Sequence, residues 1–257
     1  MPVLTQLVES LRSGAVRVVD LTAPLSSSTP TLQLPEQFGQ TASFALEEIS
    51  AYDDRGPAWY WNNFRTGEHT GTHFDAPNHW VTGKGNDDVA SVPAARLVGP
   101  AAVLDFSEQV AADPDFLVEV DHVKQWETDH GPLPDGGWLL VRTGWDARSH
   151  SQEEYLNADE NGPHTPGLSV ECARWVAEES PVVGLGVETV GTDAGAAAGF
   201  DPMFPCHTLM HGAGKYGLTQ LQNLAELPPL GAVVVAGPLR IVTGSGSPAR
   251  VLALVEG

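Results

Sequence analysis

Residues 69 to 79 read His-Thr-Gly-Thr-His-Phe-Asp-Ala-Pro-Asn-His, which places His69, His73, His79 and Asp75 within one short segment. Imidazole and carboxylate are the ligand types that borderline divalent ions such as Zn²⁺ and Mn²⁺ accept. A metal held by three protein groups with one position open turns water into a nucleophile at neutral pH. The segment therefore points to a metal-dependent hydrolase. One such histidine alone would be an ordinary core or surface residue, but several potential ligands around a glycine make a site.

Geometry restricts how the segment can fold. His69, His73, Asp75 and His79 share one parity, so an extended strand would turn them to one face. Four residues of straight strand nevertheless span ~13 Å, whereas two nitrogens on one ion lie within about 4 Å of each other. A helix would bring His69 and His73 together at i,i+4. Thr-Gly-Thr between them is poor helix material, however, and Pro77 follows closely. A bent, non-helical segment remains, in which Gly71 takes the backbone angles that fold His69 back toward His73. His73 and Asp75, two apart, reach one site readily.

The pattern His-x-Gly-Thr-His-x-Asp-x-Pro-x-His resembles the signature of the cyclase family of metal-dependent hydrolases, which includes bacterial kynurenine formamidases and isatin hydrolases. The resemblance covers nearly the whole chain. Asp20-Leu21-Thr22, Gly186 to Gly195, His207 to Leu227, Gly237 to Ile241 and Gly246 to Arg250 follow in the family's order. It implies that His69, His73 and Asp75 bind metal and that His79 is the proton donor and acceptor. His207 matches a histidine that serves a second metal in the formamidases, where a Glu twelve positions later completes that site. Here the position is Thr219, followed by Gln220. Without the carboxylate, charge compensation for two ions is insufficient. The isatin hydrolases, with one manganese and a Gln at the position of Gln220, are the better match. The expectation is one metal, Mn²⁺ favoured and Zn²⁺ the alternative, with Gln220 or a water on it completing the shell. A neutral amide oxygen is a hard ligand that suits Mn²⁺. The resemblance also implies an α/β fold of the swivelling β/β/α type, strand-rich with few helices, and a homodimer or dimer-based oligomer.

Composition agrees with an enzyme. A length of 257 residues, 42% of them hydrophobic, supports a single α/β domain over residues 1–257 with a sizeable core. Thirteen Lys and Arg against 33 Asp and Glu give a net charge of −20. Such a surface repels phosphate backbones and acidic lipids, which argues against nucleic-acid and membrane partners. Cys172 and Cys206 are too few and too distant for a disulfide framework or thiolate metal motif, and buried thiols are expected. Leu4, Leu7, Val8 and Leu11 fall at helical spacing and predict an amphipathic helix, not an export signal. No long apolar run reads as a membrane span, so a cytoplasmic location is expected.

The supporting elements read as follows. Strands are expected at 16–21, 42–50, 101–106, 138–143, 182–187, 231–236 and 249–255, and a long loop at 22–40. A polar loop is expected at 144–168, followed by a helix at 169–179 with Ser169 as N-cap. Trp59, Tyr60, Trp61, Phe64 and Trp80 flank the metal motif. They suit core packing, a subunit interface or a flat slot for an aromatic substrate. In the slot reading Trp61 and Trp80 are walls, and His207 contacts the substrate. Asp193, after an apolar strand, either orients a histidine or caps a helix. Gly244-Ser-Gly-Ser-Pro248 lacks the Lys-Ser/Thr ending of a phosphate loop and reads as a tight turn. No Gly-x-Ser-x-Gly lies between a strand and a helix, which argues against a serine hydrolase.

Together these readings predict metal-activated attack of water on the carbonyl of a small cyclic aromatic amide. His79 takes the water proton and returns it to the departing nitrogen. The resemblance makes isatin, opened to isatinate, the expected substrate. N-formylkynurenine hydrolysis and a lactonase are the alternatives. A non-catalytic metal-binding protein is the reading from another class, and His79 opposes it, because storage gains nothing from a poised base.

Overall fold

The computed structural model describes residues 2–35 and 37–257. Ten strands matter for the site: β1 (Val16–Asp20), β2 (Ala45–Ala51), β3 (Tyr60–Arg65), β4 (His73–Asp75), β5 (Val98–Asp105), β6 (Trp138–Arg142), β7 (Gly184–Val187), β8 (Tyr216–Thr219), β9 (Ala232–Pro238) and β10 (Gly246–Glu256). The α-helices are α1 (Val3–Ser13), α2 (Ser107–Ala112), α3 (Val120–His130), α4 (Gln152–Leu156) and α5 (Val170–Glu178). The fold is thus α/β, strand-rich, with few and short helices.

Strands β10, β9, β5, β6, β7, β8 and β4 pair in that order, and β4 pairs back with β10, so the sheet closes into a barrel with β1 as an outer strand on β10. β5, β6, β7 and β8 run parallel, while the pairings of β8 with β4, β4 with β10, β10 with β9 and β9 with β5 are antiparallel. Parallel strands covered on both faces need apolar side chains at every position, which explains the unbroken runs at 101–104 and 138–141. Alternate residues serve different cores. Ala101, Val103, Trp138 and Leu140 point into the barrel with Phe74, Tyr216 and Leu218. Ala102, Leu104, Leu139, Val141, Leu185 and Val187 point out, against Val123 and Trp126 of α3 and Cys172 and Val176 of α5.

The expected strands and the helix after Ser169 are present. Ser169 Oγ accepts from the Cys172 amide, as an N-cap should. The expected loop at 144–168 contains α4, a short helix whose own N-cap is Ser151. Helices α2 and α3 were not anticipated. α3 buries only Val123 and Trp126, so its apolar stripe is too narrow to read from spacing. α1 is amphipathic but buries none of its residues within this chain. β2 and β3 form a hairpin outside the barrel, with Leu46, Trp59, Tyr60, Trp61 and Phe64 about half exposed. Both cysteines are buried free thiols. Among the described residues no helix is long and apolar enough to cross a membrane.

Glu188, just past β7, stitches the end of β6 to the barrel. Its Oε2 accepts from the Thr143 amide at 2.7 Å, the Thr143 hydroxyl at 2.9 Å and the Trp145 amide at 3.2 Å. Burial, aided by Asp146, outweighs these bonds and pushes its pKa up to about 7. The folded chain therefore holds a proton that the unfolded chain releases near the usual 4.5. Stability from this group is complete below that value and is lost as pH rises through 7. The loss is on the order of 3 kcal/mol. Urea unfolding between pH 4.5 and 8 should show a decline that Glu188→Gln flattens; parallel profiles would refute the assignment.

Candidate metal centre

The eleven-residue segment crosses the barrel mouth in three pieces. Gly71 has φ +67 and forms the bend, and a Cβ there would meet Leu25 Cδ2 at 2.5 Å. His73–Asp75 is β4, and Pro77–His79 is a single 3₁₀ turn. β4 inserts between β8 and β10, so that Asp75 pairs with Gly217 on one side and Gly246 on the other. Both partners must be glycine. A Cβ at Gly217 would stand 2.7 Å from Asp75 Oδ2, and one at Gly246 would stand 2.6 Å from His69 Cε1. Close backbone approach on both sides is what lets the carboxylate and imidazoles share one small space.

Asp75 Oδ1 lies 2.7 Å from His69 Nδ1 and 3.4 Å from His73 Nε2. His79 stacks on His69 with ring centroids 3.9 Å apart. Donor atoms of His69, Asp75 and His79 all fall within 4.8 Å of one another, as do those of Asp75, His207 and His211. Asp75 is fully buried, which opposes its charge, but the imidazoles of His73 and His69 hold its pKa well below the usual value. His79 is displaced deeply downward, first by burial and then by His69, so its ring is neutral.

Hydrogen bonds around the cluster indicate which ring nitrogens carry protons. His73 Nδ1 donates to the Gly71 carbonyl at 2.7 Å, leaving Nε2 toward Asp75. The Thr219 hydroxyl lies 2.9 and 3.0 Å from the two His73 nitrogens. His69 Nε2 lies 2.9 Å from Ser245 Oγ. The Ser245 hydroxyl already donates to Glu68 Oε2 at 2.6 Å. A serine hydroxyl has one hydrogen, so His69 Nε2–H is the donor in that contact. His69 Nδ1 then faces a carboxylate oxygen at 2.7 Å, a separation that a proton or a metal ion beside both atoms satisfies. Nitrogen and oxygen donors at these separations, with rings oriented by outer partners, fit a divalent ion.

Farther along the chain, a helical segment with a π turn over Cys206–Met210 forms the opposite wall. Asp193 does both things expected of it. Its carboxylate accepts from the Cys206 and His207 amides and from His207 Nδ1, the last at 2.5 Å. Burial works against charge on His207, but Asp193 outweighs it and raises the pKa. His211, one helical turn on, is buried; its Nδ1 donates to the Lys215 carbonyl at 3.0 Å and its Nε2 has no protein partner. Burial first, then His207, lowers its pKa to about 4. Trp80 joins this wall, with its ring 4.8 Å from His207 and 5.7 Å from Phe204, and its Nε1 donates to Thr208 Oγ1.

The other two expected residues stand apart. Trp61 lies on the outer hairpin, 54% exposed, and its ring stacks on none of the cluster's imidazoles. Gln220 is buried beside Thr219 with φ +53, and its amide nitrogen reaches toward the Pro30 carbonyl at 3.5 Å. Sequence reasoning missed His211, Ser245 and Glu68. His211 carried a signal, its i,i+4 spacing from His207. Ser245 carried none, because it reaches the site only through barrel closure.

Comparison with known proteins agrees with this geometry. The Cyclase family pattern matches residues 19–194. The chain is 46% identical to the isatin hydrolase of Roseibium aggregatum, over 98% of this chain and 97% of that one. It is 28% identical to the kynurenine formamidase of Salinibacter ruber, over 73% and 76% respectively. Among solved structures, isatin hydrolase A from Ralstonia solanacearum superposes with a TM-score of 0.97 at 52% identity, covering 100% of this chain and 98% of that one. An isatin hydrolase bound to the product analogue thioisatinate also superposes at 0.97, with 45% identity and 99% and 98% coverage. A family match over more than half the chain and relatives of this identity along its full length lead to one conclusion: the chain belongs to the Cyclase family of hydrolases.

Proposed function

We propose that this protein is a metal-dependent amide hydrolase that opens isatin to isatinate, folded as one domain over residues 1–257. The observation that carries the reading is the convergence of donor atoms of His69, Asp75 and His79 within 4.8 Å of one another. Two relatives of 46% and 52% identity along the whole chain bear the isatin hydrolase name and support it. His69, His73 and Asp75 hold one divalent ion, and Gln220 completes its surroundings through its amide oxygen or a water. Nitrogen and hard oxygen donors without thiolate favour Mn²⁺, with Zn²⁺ the alternative. Bound there, the ion supplies Lewis acidity and lowers the pKa of water toward neutrality.

The chain's own groups move the proton. His79, stacked on His69 at the edge of the cluster, accepts the proton of the attacking water at a ring nitrogen. The hydroxyl adds to the amide carbonyl carbon, the C–N bond breaks, and His79 returns its proton to the departing nitrogen. Because the amide is cyclic, acid and amine stay in one product. Trp80 and His207 line the side on which a flat aromatic ring can lie. Trp61 contributes a wall only if the hairpin of a second chain, or this one, folds over the mouth. The exposed aromatic hairpin is also the surface through which we propose a homodimer or dimer-based oligomer. The reading includes a cytoplasmic location, and the net charge of −20 supports a surface that repels nucleic acid and acidic lipids.

Two experiments test the reading. His79→Ala should keep metal at wild-type stoichiometry and lose about 10²–10⁴-fold in kcat, whereas Asp75→Ala should lose the metal itself. Full activity in the first variant, or a full metal complement in the second, would refute the assigned roles. Mn²⁺-loaded protein assayed in parallel should open isatin and leave N-formylkynurenine intact. Formamide cleavage alone would instead favour the formamidase reading, with a second metal near His207 and His211 to be sought.

A further inference from the structure

The turn between β9 and β10 reads from sequence as a plain connection, yet it touches the cluster. Gly246 packs so closely that a Cβ would meet both the Phe74 carbonyl at 2.5 Å and His69 Cε1 at 2.6 Å. Next to it, Ser245 Oγ lies 2.9 Å from His69 Nε2 and donates to Glu68 Oε2 at 2.6 Å. The Ser245 amide donates to the same Glu68 oxygen at 3.1 Å, and the Ser245 carbonyl accepts from the Ala76 amide at 2.9 Å. The serine is therefore held from two directions, by the residue before His69 and by the residue after Asp75.

We propose that Glu68 and Ser245 are positioning residues that form a relay, Glu68–Ser245–His69, and thereby tune the affinity of the metal centre. The proposal rests on His69 being a metal ligand. Glu68 is acceptor-only and captures the single Ser245 hydrogen. Ser245 can then only accept from His69, which fixes the ring proton on Nε2 and leaves the Nδ1 lone pair on Asp75's side. Were the serine hydroxyl free to turn, it could donate to Nε2, move the ring proton to Nδ1, and set that proton against the ion. Outer partners that fix the tautomer and orientation of a ligating histidine typically contribute 10–100-fold in metal affinity. A residue 176 positions away in sequence thus controls the first histidine of the motif.

The test is a calorimetric titration of metal-free protein with Mn²⁺, together with ¹⁵N-histidine spectra of the Zn²⁺-loaded form. Ser245→Ala and Glu68→Ala should each weaken Mn²⁺ binding about 10–100-fold. Ser247→Ala should bind as wild type; it alters the start of β10 two residues beyond Ser245, where Ser247 Oγ accepts from the Leu239 amide rather than bonding His69. In the wild-type spectra His69 should coordinate through Nδ1 and carry its proton on Nε2. Unchanged affinity in Ser245→Ala, an equal loss in Ser247→Ala, or coordination of His69 through Nε2 would overturn the relay while leaving a metal site. Failure of wild-type protein to bind Mn²⁺ or Zn²⁺ would overturn the metal reading itself, and the relay with it.

Discussion

A carboxylate oxygen of Asp75 and a ring nitrogen of His69 face each other at 2.7 Å inside a site where Asp75 has almost no solvent. Burial alone would drive Asp75 to take up a proton, yet the neighbouring imidazoles hold it ionised. An ionised carboxylate that deep is unstable without positive charge beside it. The imidazoles supply that charge, and together with Asp75 they form a converged nitrogen and oxygen donor set of the kind a divalent ion takes.

The barrel does this by closing on its shortest strand. β4 has only three residues, and it carries His73 and Asp75 between β8 and β10. Chain segments far apart in sequence therefore meet around Asp75 and its two histidines: Gly217 and Thr219, the latter on His73, on one flank, and Gly246 and Ser245, the latter on His69, on the other. The parallel half of the barrel is packed on both faces, inward around Trp138 and Phe74 and outward against α3 and α5. The histidine and aspartate cluster sits at the mouth of that framework, where β4 gives way to the 3₁₀ turn bearing His79. Across the mouth, Asp193 ties His207 to the loop after β7.

Legibility in the sequence followed interaction range. The bend at Gly71, the N-cap at Ser169 and the apolar parallel strands were readable because each is set by neighbours a few residues away. The convergence of His69, His73, Asp75 and His79 was readable for the same reason. The resemblance implied a swivelling β/β/α type of fold, but barrel closure was not anticipated, since strand order is not encoded in local spacing. His211 was overlooked although it lies one turn from His207, and it shares the opposite wall of the cluster with it. Ser245 and Glu68 could not have been paired at all, because the contact that joins them exists only once β10 lies against β4. Helices α2 and α3 escaped because each buries too few residues to leave a helical stripe.

Anomalous diffraction from crystals grown with Mn²⁺, collected on both sides of the manganese edge, tests the central claim most directly. The account predicts one peak per chain, coordinated by Asp75 and by ring nitrogens of His69 and His73, with His79 alongside but not bound. A peak held instead by His207 and His211, or coordination by His79 with His73 left out, would contradict it.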